Sequence, residues 1–395
     1  MIVVFEPVCH GGEHAMFNAA MIAACLSIEG GEGVAFIGES SHLSNVRECM
    51  AALDATRVEW RPARICPRRE EDVRKRLAPE WRLFGEVLEF ASERNARAVM
   101  VTGTTPGGWM ALKARLVMAR RSRPVVAVVF HSVLGEFLYS SKRRALLSRF
   151  NPDNLRLIVL GEHIRKGALE VAPNLAPHLD SIPHPYLFDG AADRGREIGP
   201  GPISFGMVGR AGVGKGFLDF LRLVEDTAGE KWRAHARFHL AGPLSAECLD
   251  RYREFFQGPH GDRLSGGSTN RMSLHELRAG LGSLDFVVMP YNAEAYRYTA
   301  SGAALDALWA VKPVLALRTP GFEELFGRLG DIGYLCLDYA ELLATVRSLA
   351  TGADPERYRS QCENILRGRR VFSPVEVGKN LARVLGGEGK RADPG

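Results

Sequence analysis

Short apolar runs alternate with amphipathic stretches along the first 190 residues of the chain. This alternation is typical of repeated βα units, in which a buried parallel sheet carries helices on both faces. The predicted strands are Ile2–Phe5, Val34–Gly38, Ala98–Thr102, Val125–Phe130 and Leu157–Leu160. The predicted helices are His14–Ser27, His42–Leu53, Pro79–Glu93 and Trp109–Arg121. We therefore expect an α/β domain over residues 1–190.

A polar segment rich in glycine and proline, GAADRGREIGPGP at 190–202, then interrupts the pattern. It should bury little apolar surface, so we predict a linker at 191–202. A second βα series follows it. Its predicted strands are Ile203–Val208, Phe238–Ala241, Phe286–Met289, Pro313–Ala316 and Tyr334–Leu337. Its predicted helices are Gly216–Asp226, Ala246–Phe256, Ser273–Leu281, Ala303–Ala310, Tyr339–Leu349 and Pro355–Leu366.

The two series together predict two Rossmann-like α/β domains, 1–190 and 203–370, that face each other across a cleft. Ligands of open parallel sheets bind beyond the carboxyl ends of the strands. The loops that follow strands are therefore the places to search for a site.

Composition agrees with two domains. Of the 395 residues 46% are hydrophobic, and single cores stop growing at about 250–300 residues. No run of 18 apolar residues and no basic leader is visible, so we expect a cytoplasmic protein. The seven cysteines are odd in number and never spaced as C-x-x-C, which favours neither a disulfide framework nor a zinc site.

The net charge of +5 is too small to indicate a nucleic-acid partner. Positive charge is concentrated between Lys113 and Lys166, where twelve Lys and Arg accompany three acids. Two patches there, 111–123 and 140–150, interleave cations with apolar residues at roughly helical spacing. They suit either peripheral contact with an anionic membrane, at its inner face, or a solvated helix surface.

The most informative segment is FGMVGRAGVGKG at 205–216, where a predicted strand ends in a glycine-rich turn before a helix. Glycines let the backbone approach a ligand, and the helix N-terminus offers free N–H groups and a positive dipole end. Arg210 and Lys215 add two cations, so we expect the turn to bind a diphosphate. The alternative is an ordinary glycine turn with two solvated cations.

The same turn matches the phosphate-binding template G-x-x-x-x-G-K-[ST] until its last position. Gly216 stands where the template has a hydroxyl that holds magnesium. An NTPase also places this turn near its first strand and adds an acidic partner strand. We therefore reject the kinase or NTPase interpretation.

The turn resembles a motif of glycosyltransferases with the GT-B fold, in particular of glycosyltransferase family 4. There the first strand of the C-terminal domain is followed by Gly-Arg, four variable residues and Lys-Gly, a spacing that Gly209, Arg210, Lys215 and Gly216 match. The resemblance implies that Arg210 and Lys215 are catalytic. They would grip the donor diphosphate and stabilise the charge that develops as the sugar leaves.

Residues 284–316 resemble the segment that wraps the donor in the same family. Ser301 and Gly302 open a predicted helix whose first amides are expected to bind the distal phosphate. Asp306 takes the place of a glutamate that binds the ribose hydroxyls. Viewed alone, Ser301 and Asp306 fit equally well as a helix cap and a first-turn acid.

The family's other glutamate lies eight residues before this position, where the chain has Tyr298. Glu294, four residues earlier, is the candidate substitute, and both residues are kept among the predicted donor-binding residues. The departure leaves the donor sugar and the stereochemical outcome open.

Two features of the N-terminal half complete the predicted site. The turn CHGGEH after the first strand resembles the family's glycine loop, so Gly11 and Gly12 are expected to approach the donor. His131 follows the strand Val125–Phe130, where similar enzymes place a histidine that faces the sugar. It is expected to bind a donor hydroxyl or to exchange a proton with the acceptor. The alternatives are an ordinary βα turn for Gly11 and Gly12 and a structural role for His131.

The resemblance implies a glycosyltransferase of hexosyltransferase type, acting with retention, in polysaccharide biosynthesis or a related pathway. The C-terminal domain would bind the nucleotide diphosphate sugar, and the N-terminal domain a glycan, lipid-linked or small-molecule acceptor. No cofactor is expected, and no metal, because no ligand cluster has metal-binding spacing. Residues 371–387 resemble a helix that crosses back to the N-terminal domain, and 388–395 should be a frayed tail. The alternatives are a nucleotide-sugar epimerase and a catalytically silent nucleotide-sugar-binding or scaffold protein.

Overall fold

The computed structural model describes residues 1–28, 33–66, 73–118, 124–131, 133–149, 151–190, 192–195, 197–199, 201–268, 270 and 272–386, with backbone only at 73 and 74. The chain divides into two compact units. The first comprises Met1–Asp189, Tyr298–Ala300 and the segment from Val371 onward, and the second Gly190–Arg297 and Ser301–Arg370.

The first unit is built on a parallel sheet with seven strands among the described residues, in the order β3-β2-β1-β4-β5-β6-β7. The strands are β1 Ile2–Phe5, β2 Val34–Gly38, β3 Val58–Pro62, β4 Ala98–Val101, β5 Val125–Phe130, β6 Leu155–Val159 and β7 Leu179–Ser181. The helices are α1 Ala15–Leu26, α2 Ser40–Cys49, α3 Val73–Glu93, α4 Pro106–Met118, α5 Leu134–Leu138, α6 Ser141–Ser148 and α7 Glu162–Val171. Strands β1, β2, β4 and β6 are buried along their whole length because helices cover both faces.

The second unit repeats this plan with six described strands in the order β10-β9-β8-β11-β12-β13, all parallel. The strands are β8 Ile203–Val208, β9 Ala236–Pro243, β10 Leu264–Ser268, β11 Phe286–Met289, β12 Val314–Leu317 and β13 Gly333–Cys336. The helices are α8 Phe217–Asp226, α9 Leu249–Gln257, α10 Leu274–Gly282, α11 Gly302–Trp309, α12 Pro320–Leu329, α13 Tyr339–Gly352 and α14 Pro355–Gly368. The predicted α/β class with two Rossmann-like units is confirmed.

Three strands, β3, β7 and β10, were not predicted, and all three lie at sheet edges. An edge strand is only partly buried, so its sequence need not be a continuous apolar run. The segments VEWRP, LDS and LSGGS accordingly mix polar and apolar residues. Their pairing with β2, β6 and β9 makes them strands.

Helix α3 begins at Val73, earlier than the predicted start at Pro79, which lies inside the helix. Proline favours the first helical turn because it has no N–H to donate. Here an ion pair spans it, with Arg76 Nη2 2.8 Å from Glu80 Oε1 and both side chains buried. The Thr105 hydroxyl, just before α4, donates to the same carboxylate at 3.1 Å. Glu80 therefore links the proline-containing turn of α3 to the start of α4.

The last described helix, α15 (Pro374–Gly386), packs against α1 in the first unit. Val377 and Leu381 are fully buried there, and the Ser27 hydroxyl donates to the Pro374 carbonyl at 3.0 Å. A Cβ atom at Gly378 would lie 2.1 Å from Ser27 Oγ, so the two helices approach closely through a glycine. After the second βα series, the chain therefore returns to the first unit and packs on its core.

Part of the predicted linker packs on the second unit: Arg369 Nη1 donates to the Ala192 carbonyl at 2.6 Å, and Gly195 lies against Cys362. Several predictions fall outside the described residues. They concern residues 191, 196 and 200 of the linker, 119–123 and 150 of the basic patches, and 387–395 at the C-terminus.

We predict that Glu80→Ala lowers the free energy of unfolding by roughly 3–5 kcal/mol, because it removes one partner of a buried ion pair. Urea denaturation followed by circular dichroism measures the change. Glu89→Ala, at an exposed position of the same helix, is the matched control and should change stability by less than about 0.5 kcal/mol. Equal unfolding midpoints for the two variants would contradict the role assigned to Glu80.

Candidate functional site

Two loops of the second unit meet where the strand order reverses. Strand β8 lies between β9 and β11, so the crevice beyond the carboxyl ends of β8 and β11 is the switch point of this sheet. The loop after β8 spans 209–216, and the loop after β11 spans 290–301 and leads into α11. All the residues predicted for the donor in the second unit lie on these two loops and on α11.

The ammonium group of Lys215 lies beside the end of β8. A Cβ atom at Gly209 would be 3.0 Å from Lys215 Nζ and 3.4 Å from the Cβ of Ala303. Ala303 belongs to the first turn of α11. Gly209 has φ +73°, a conformation that favours glycine. The lysine, the end of β8 and the start of α11 therefore converge on one point.

Gly216 is required by the packing of the two loops. Its φ is +73°, and a Cβ atom there would lie 1.7 Å from the carbonyl oxygen of Pro290, in the loop after β11. Any side chain would collide with that backbone. The serine or threonine of the NTPase template does not fit at this position, which supports the rejection of that interpretation.

The buried ammonium group of Lys215 interacts with one carboxylate and one guanidinium group. Burial lowers the pKa of Lys215 to about 8, Asp306 opposes this shift, and Arg210 adds to it. The Arg210 side chain is exposed. In the described part of the chain, neither cation has a carboxylate within ion-pair distance. A partly desolvated ammonium beside a second cation favours an anionic ligand at this point.

The N-terminus of α11 is capped and open to a ligand. Ser301 Oγ accepts a hydrogen bond from the Ala304 N–H at 3.2 Å and lies 3.0 Å from the Tyr291 hydroxyl. A Cβ atom at Gly302 would meet no atom within 4 Å, so there is free space beside the first turn. The cap leaves the other first-turn amides to an anion.

An aromatic pair that the sequence analysis missed lies at the same place. The rings of Tyr291 and Tyr296 are 4.3 Å apart, and Phe322 packs on Tyr291 at 5.2 Å. Burial raises the pKa of Tyr296 to about 12 and raises the pKa of Tyr291 as well, so both hydroxyls stay protonated. The only signal was two tyrosines after a buried strand, which is also a common core pattern.

Two predicted donor residues differ in their surroundings. Asp306 is half-buried on α11 and close enough to Lys215 to raise the pKa of its ammonium group. Glu294 is 65% exposed, with its carboxylate 3.9 Å from Arg297. The structure brings Asp306 to Lys215, while Glu294 lies on the exposed part of the loop.

Tyr298 belongs to the first unit. Its side chain is 3% exposed and part of that unit's hydrophobic core. Its ring centroid lies 5.6 Å from that of Tyr139, and Gly135 packs against it. Tyr298 stands where glycosyltransferase family 4 has an acid, and here it is a core residue. Its role in donor binding stays a prediction.

In the first unit, Gly11 and Gly12 lie in the turn after β1. The Gly11 N–H donates to Ser41 Oγ at 3.2 Å, and its carbonyl lies 2.6 Å from His42 Nδ1. The Gly12 carbonyl accepts a hydrogen bond from the Ala15 N–H at 3.4 Å. Burial opposes the ionisation of Glu39, yet hydrogen bonds from Ser41, His42 and Gly11 lower its pKa to about 2. This charged cap holds the turn, in which the Gly11 N–H and the carbonyls of Gly11 and Gly12 already have partners.

His131 follows β5, as predicted, and contacts a second histidine that the sequence analysis did not pair with it. Its Nδ1 lies 2.9 Å from Nδ1 of His14, so one nitrogen must donate and the other accept. Phe17 and His184 pack on His131 at 4.6 and 5.3 Å between ring centroids. Burial lowers the pKa of His184 to about 4, which keeps it neutral. The loops after β1 and β5 thus share one proton between two rings.

Among the described residues, no group of three or more His, Cys, Asp and Glu side chains is arranged to hold a metal ion. No helix in that part of the chain combines the length and hydropathy needed to cross a bilayer.

Comparison with known proteins gives similarity in structure but not in sequence. No family model matches the chain, and no curated protein matches it. Among solved structures, HepE of Anabaena with UDP and glucose has a TM-score of 0.67 at 16% identity, over 98% of this chain and 99% of that one. The UDP-forming α,α-trehalose-phosphate synthase of Burkholderia xenovorans with glucose-6-phosphate has a TM-score of 0.64 at 12% identity, over 98% and 100%.

WaaG, a glycosyltransferase involved in lipopolysaccharide biosynthesis, has a TM-score of 0.63 at 13% identity, over 98% of this chain and 99% of that one. At such identities the similarity shows the fold. The chain has the GT-B fold of two Rossmann-like domains that the sequence predicts.

Proposed function

We propose that the protein is a glycosyltransferase that moves a sugar from a nucleotide diphosphate sugar to an acceptor. The observation that carries the proposal is the position of Lys215 beside the first turn of α11, with Arg210 close enough to affect its pKa, at the switch point of the second sheet. Similar structures support it: HepE of Anabaena has been solved with UDP and with UDP-glucose. The glycine, arginine and lysine spacing of family 4 supports it further.

The proposed donor site uses the groups that converge on this point. The 209–216 turn holds the diphosphate, and the α11 amides beside Ser301 and Gly302 bind its distal phosphate. Asp306 binds the ribose hydroxyls. Arg210 and Lys215 neutralise the charge that grows on the diphosphate as the bond to the sugar breaks.

We propose transfer with retention and without a metal. The acceptor hydroxyl attacks the face that the diphosphate leaves, and a diphosphate oxygen takes its proton, so no carboxylate nucleophile is needed. The acceptor belongs to the first unit in this proposal. There the hydrogen bond between His131 and His14 places an imidazole donor and an imidazole acceptor side by side, and this pair is the proposed route for proton exchange with the acceptor.

The proposed acceptors are glycans, lipid-linked sugars or small molecules, and the proposed location is the cytoplasm, with peripheral contact at the inner membrane face. Exposed apolar side chains support this contact: Met118 at the end of α4 is 70% exposed and Val117 is 56% exposed. Lys142 and Arg143 are exposed on α6, which lies beside α4 through the Lys113 hydrogen bond to Leu146. Cations beside apolar side chains suit an anionic membrane surface.

Nucleotide sugars should stabilise the folded protein by mass action. At a ligand concentration of about 100 times Kd, the stabilisation is about 2.7 kcal/mol. A thermal-shift series with UDP-, GDP- and ADP-sugars measures it and identifies the base and the sugar. No stabilisation by any of them would contradict the proposed donor site. An epimerised product without acceptor would indicate an epimerase, and binding without transfer or hydrolysis a silent binding protein.

Arg210→Ala and Lys215→Ala should each lower turnover by about 10²–10³-fold, the typical effect of removing one group that stabilises transition-state charge. Release of nucleoside diphosphate in the presence of acceptor measures turnover, and circular dichroism checks the fold. Arg253→Ala is the matched control, because this arginine pairs with Asp250 on the exposed face of α9. Unchanged turnover in both site variants would remove them from the mechanism.

Donor affinity should fall as the pH rises through about 8, because Lys215 loses its charge there. A bound diphosphate stabilises the ammonium form, so binding at pH 8 should take up as much as about half a proton. Titration calorimetry in buffers of low and high ionisation enthalpy measures this uptake. Lys215→Arg keeps its charge at this pH and should bind with little uptake. Equal uptake in the two proteins would show that another group titrates.

A further inference from the structure

A cavity of about 720 Å³ lies in the first unit, beyond the carboxyl ends of the edge strand β3 and its neighbour β2. Its walls are residues 61–66, which form the end of β3 and the loop after it, and one face of α3. The residues that form this face are spaced three or four apart along the helix, at 78, 79, 82, 83, 86, 87 and 90. The volume is in the usual range of small-molecule sites, about 300–1,000 Å³.

The floor of the cavity is apolar. Ile37 at the end of β2, Ile65, and Leu83 and Val87 of α3 are all buried and line it. These four side chains also belong to the core that supports the sheet. A bound group with an apolar body would therefore rest on a rigid surface.

The rim of the cavity is positive. Arg61, Arg64 and Arg82 line it, with Glu86 as the acid among the lining residues. Arg61 is held by Glu59 at 3.1 Å and stacks on Phe90 at 4.1 Å.

Arg64 and Arg82 are both exposed. In the part of the chain that the structure describes, neither has a carboxylate within ion-pair distance. A guanidinium group offers a planar fork of donors that matches a phosphate.

From this combination we infer that the cavity binds an anionic amphiphile, a phosphate ester on an apolar body. The phosphate lies against Arg64 and Arg82, and the apolar part rests on Ile65, Leu83 and Val87. Its use as a site for the acceptor rests on the proposed function, whereas binding itself does not. The site lies at the carboxyl end of the first sheet's strands, as do the loops after β1 and β5, because all described strands of this sheet are parallel.

Decyl phosphate, 1-decanol and inorganic phosphate are the probes, and titration calorimetry on the full chain gives the affinities. Decyl phosphate should bind at least about tenfold more tightly than either fragment, because it uses both the rim and the floor. Arg64→Ala/Arg82→Ala should weaken its binding by about 10–100-fold. Glu86→Gln should tighten it about two- to fivefold, since it removes the opposing charge. Arg253→Ala, far along the chain on α9, should bind as the unchanged protein does.

Vesicles of phosphatidylcholine with and without phosphatidate distinguish the source of the phosphate. Co-sedimentation that depends on phosphatidate and is lost in Arg64→Ala/Arg82→Ala assigns it to a lipid headgroup. Binding of decyl phosphate without co-sedimentation assigns it to a soluble ligand. Equal decyl phosphate affinity in the double variant, or 1-decanol binding as tightly as decyl phosphate, overturns the inference.

The thermal shift with the UDP-, GDP- and ADP-sugars, measured on the same variants, separates this inference from the proposed function. If a nucleotide sugar gives a thermal shift but decyl phosphate does not bind, the cavity is rejected as a phosphate site and the donor site is kept. Decyl phosphate binding without any nucleotide-sugar shift rejects the proposed function and leaves the cavity assigned.

Discussion

The backbone contact between Gly216 and the Pro290 carbonyl sets the geometry of the second unit's candidate site. It joins the loop after β8 to the loop after β11, and no side chain fits between them. Lys215 precedes this contact and is thereby held beside Gly209 and the start of α11. The position of the cation is a consequence of backbone packing. This is why a glycine directly follows the lysine there.

The crevices at the switch points of the two sheets differ in their charged groups: the first contains a carboxylate and the second contains cations. In the first sheet, the buried Glu6 carboxylate accepts hydrogen bonds from the Val8 and Cys9 N–H groups, from Asn18 and from Thr102. These bonds fill the crevice beyond β1 with internal partners. In the second sheet the corresponding crevice contains cations and an open helix N-terminus, so it is the one suited to an anion.

The charged groups of the two units also fit the different ligands proposed for them. The second unit buries a lysine near Asp306 and Arg210, and the lowered pKa of this lysine means that Asp306 does not fully offset the burial of its charge. The first unit places arginines around an apolar cavity at an edge of its sheet, and a shared proton between two histidines at the loops after β1 and β5. A charged donor and an amphiphilic acceptor would meet such surfaces with complementary chemistry.

The two α/β units, most of the buried strands and the cation-bearing turn after β8 could be predicted from the sequence, because continuous apolar runs and glycine spacing are local signals. The edge strands β3, β7 and β10 could not, because each becomes a strand by pairing with a neighbour and not through its own pattern. The tertiary structure also placed Tyr298 in a core, His14 against His131 and three arginines around one cavity. Those arrangements join segments far apart in the chain, and the distance between such segments depends on strand order, which no local pattern encodes.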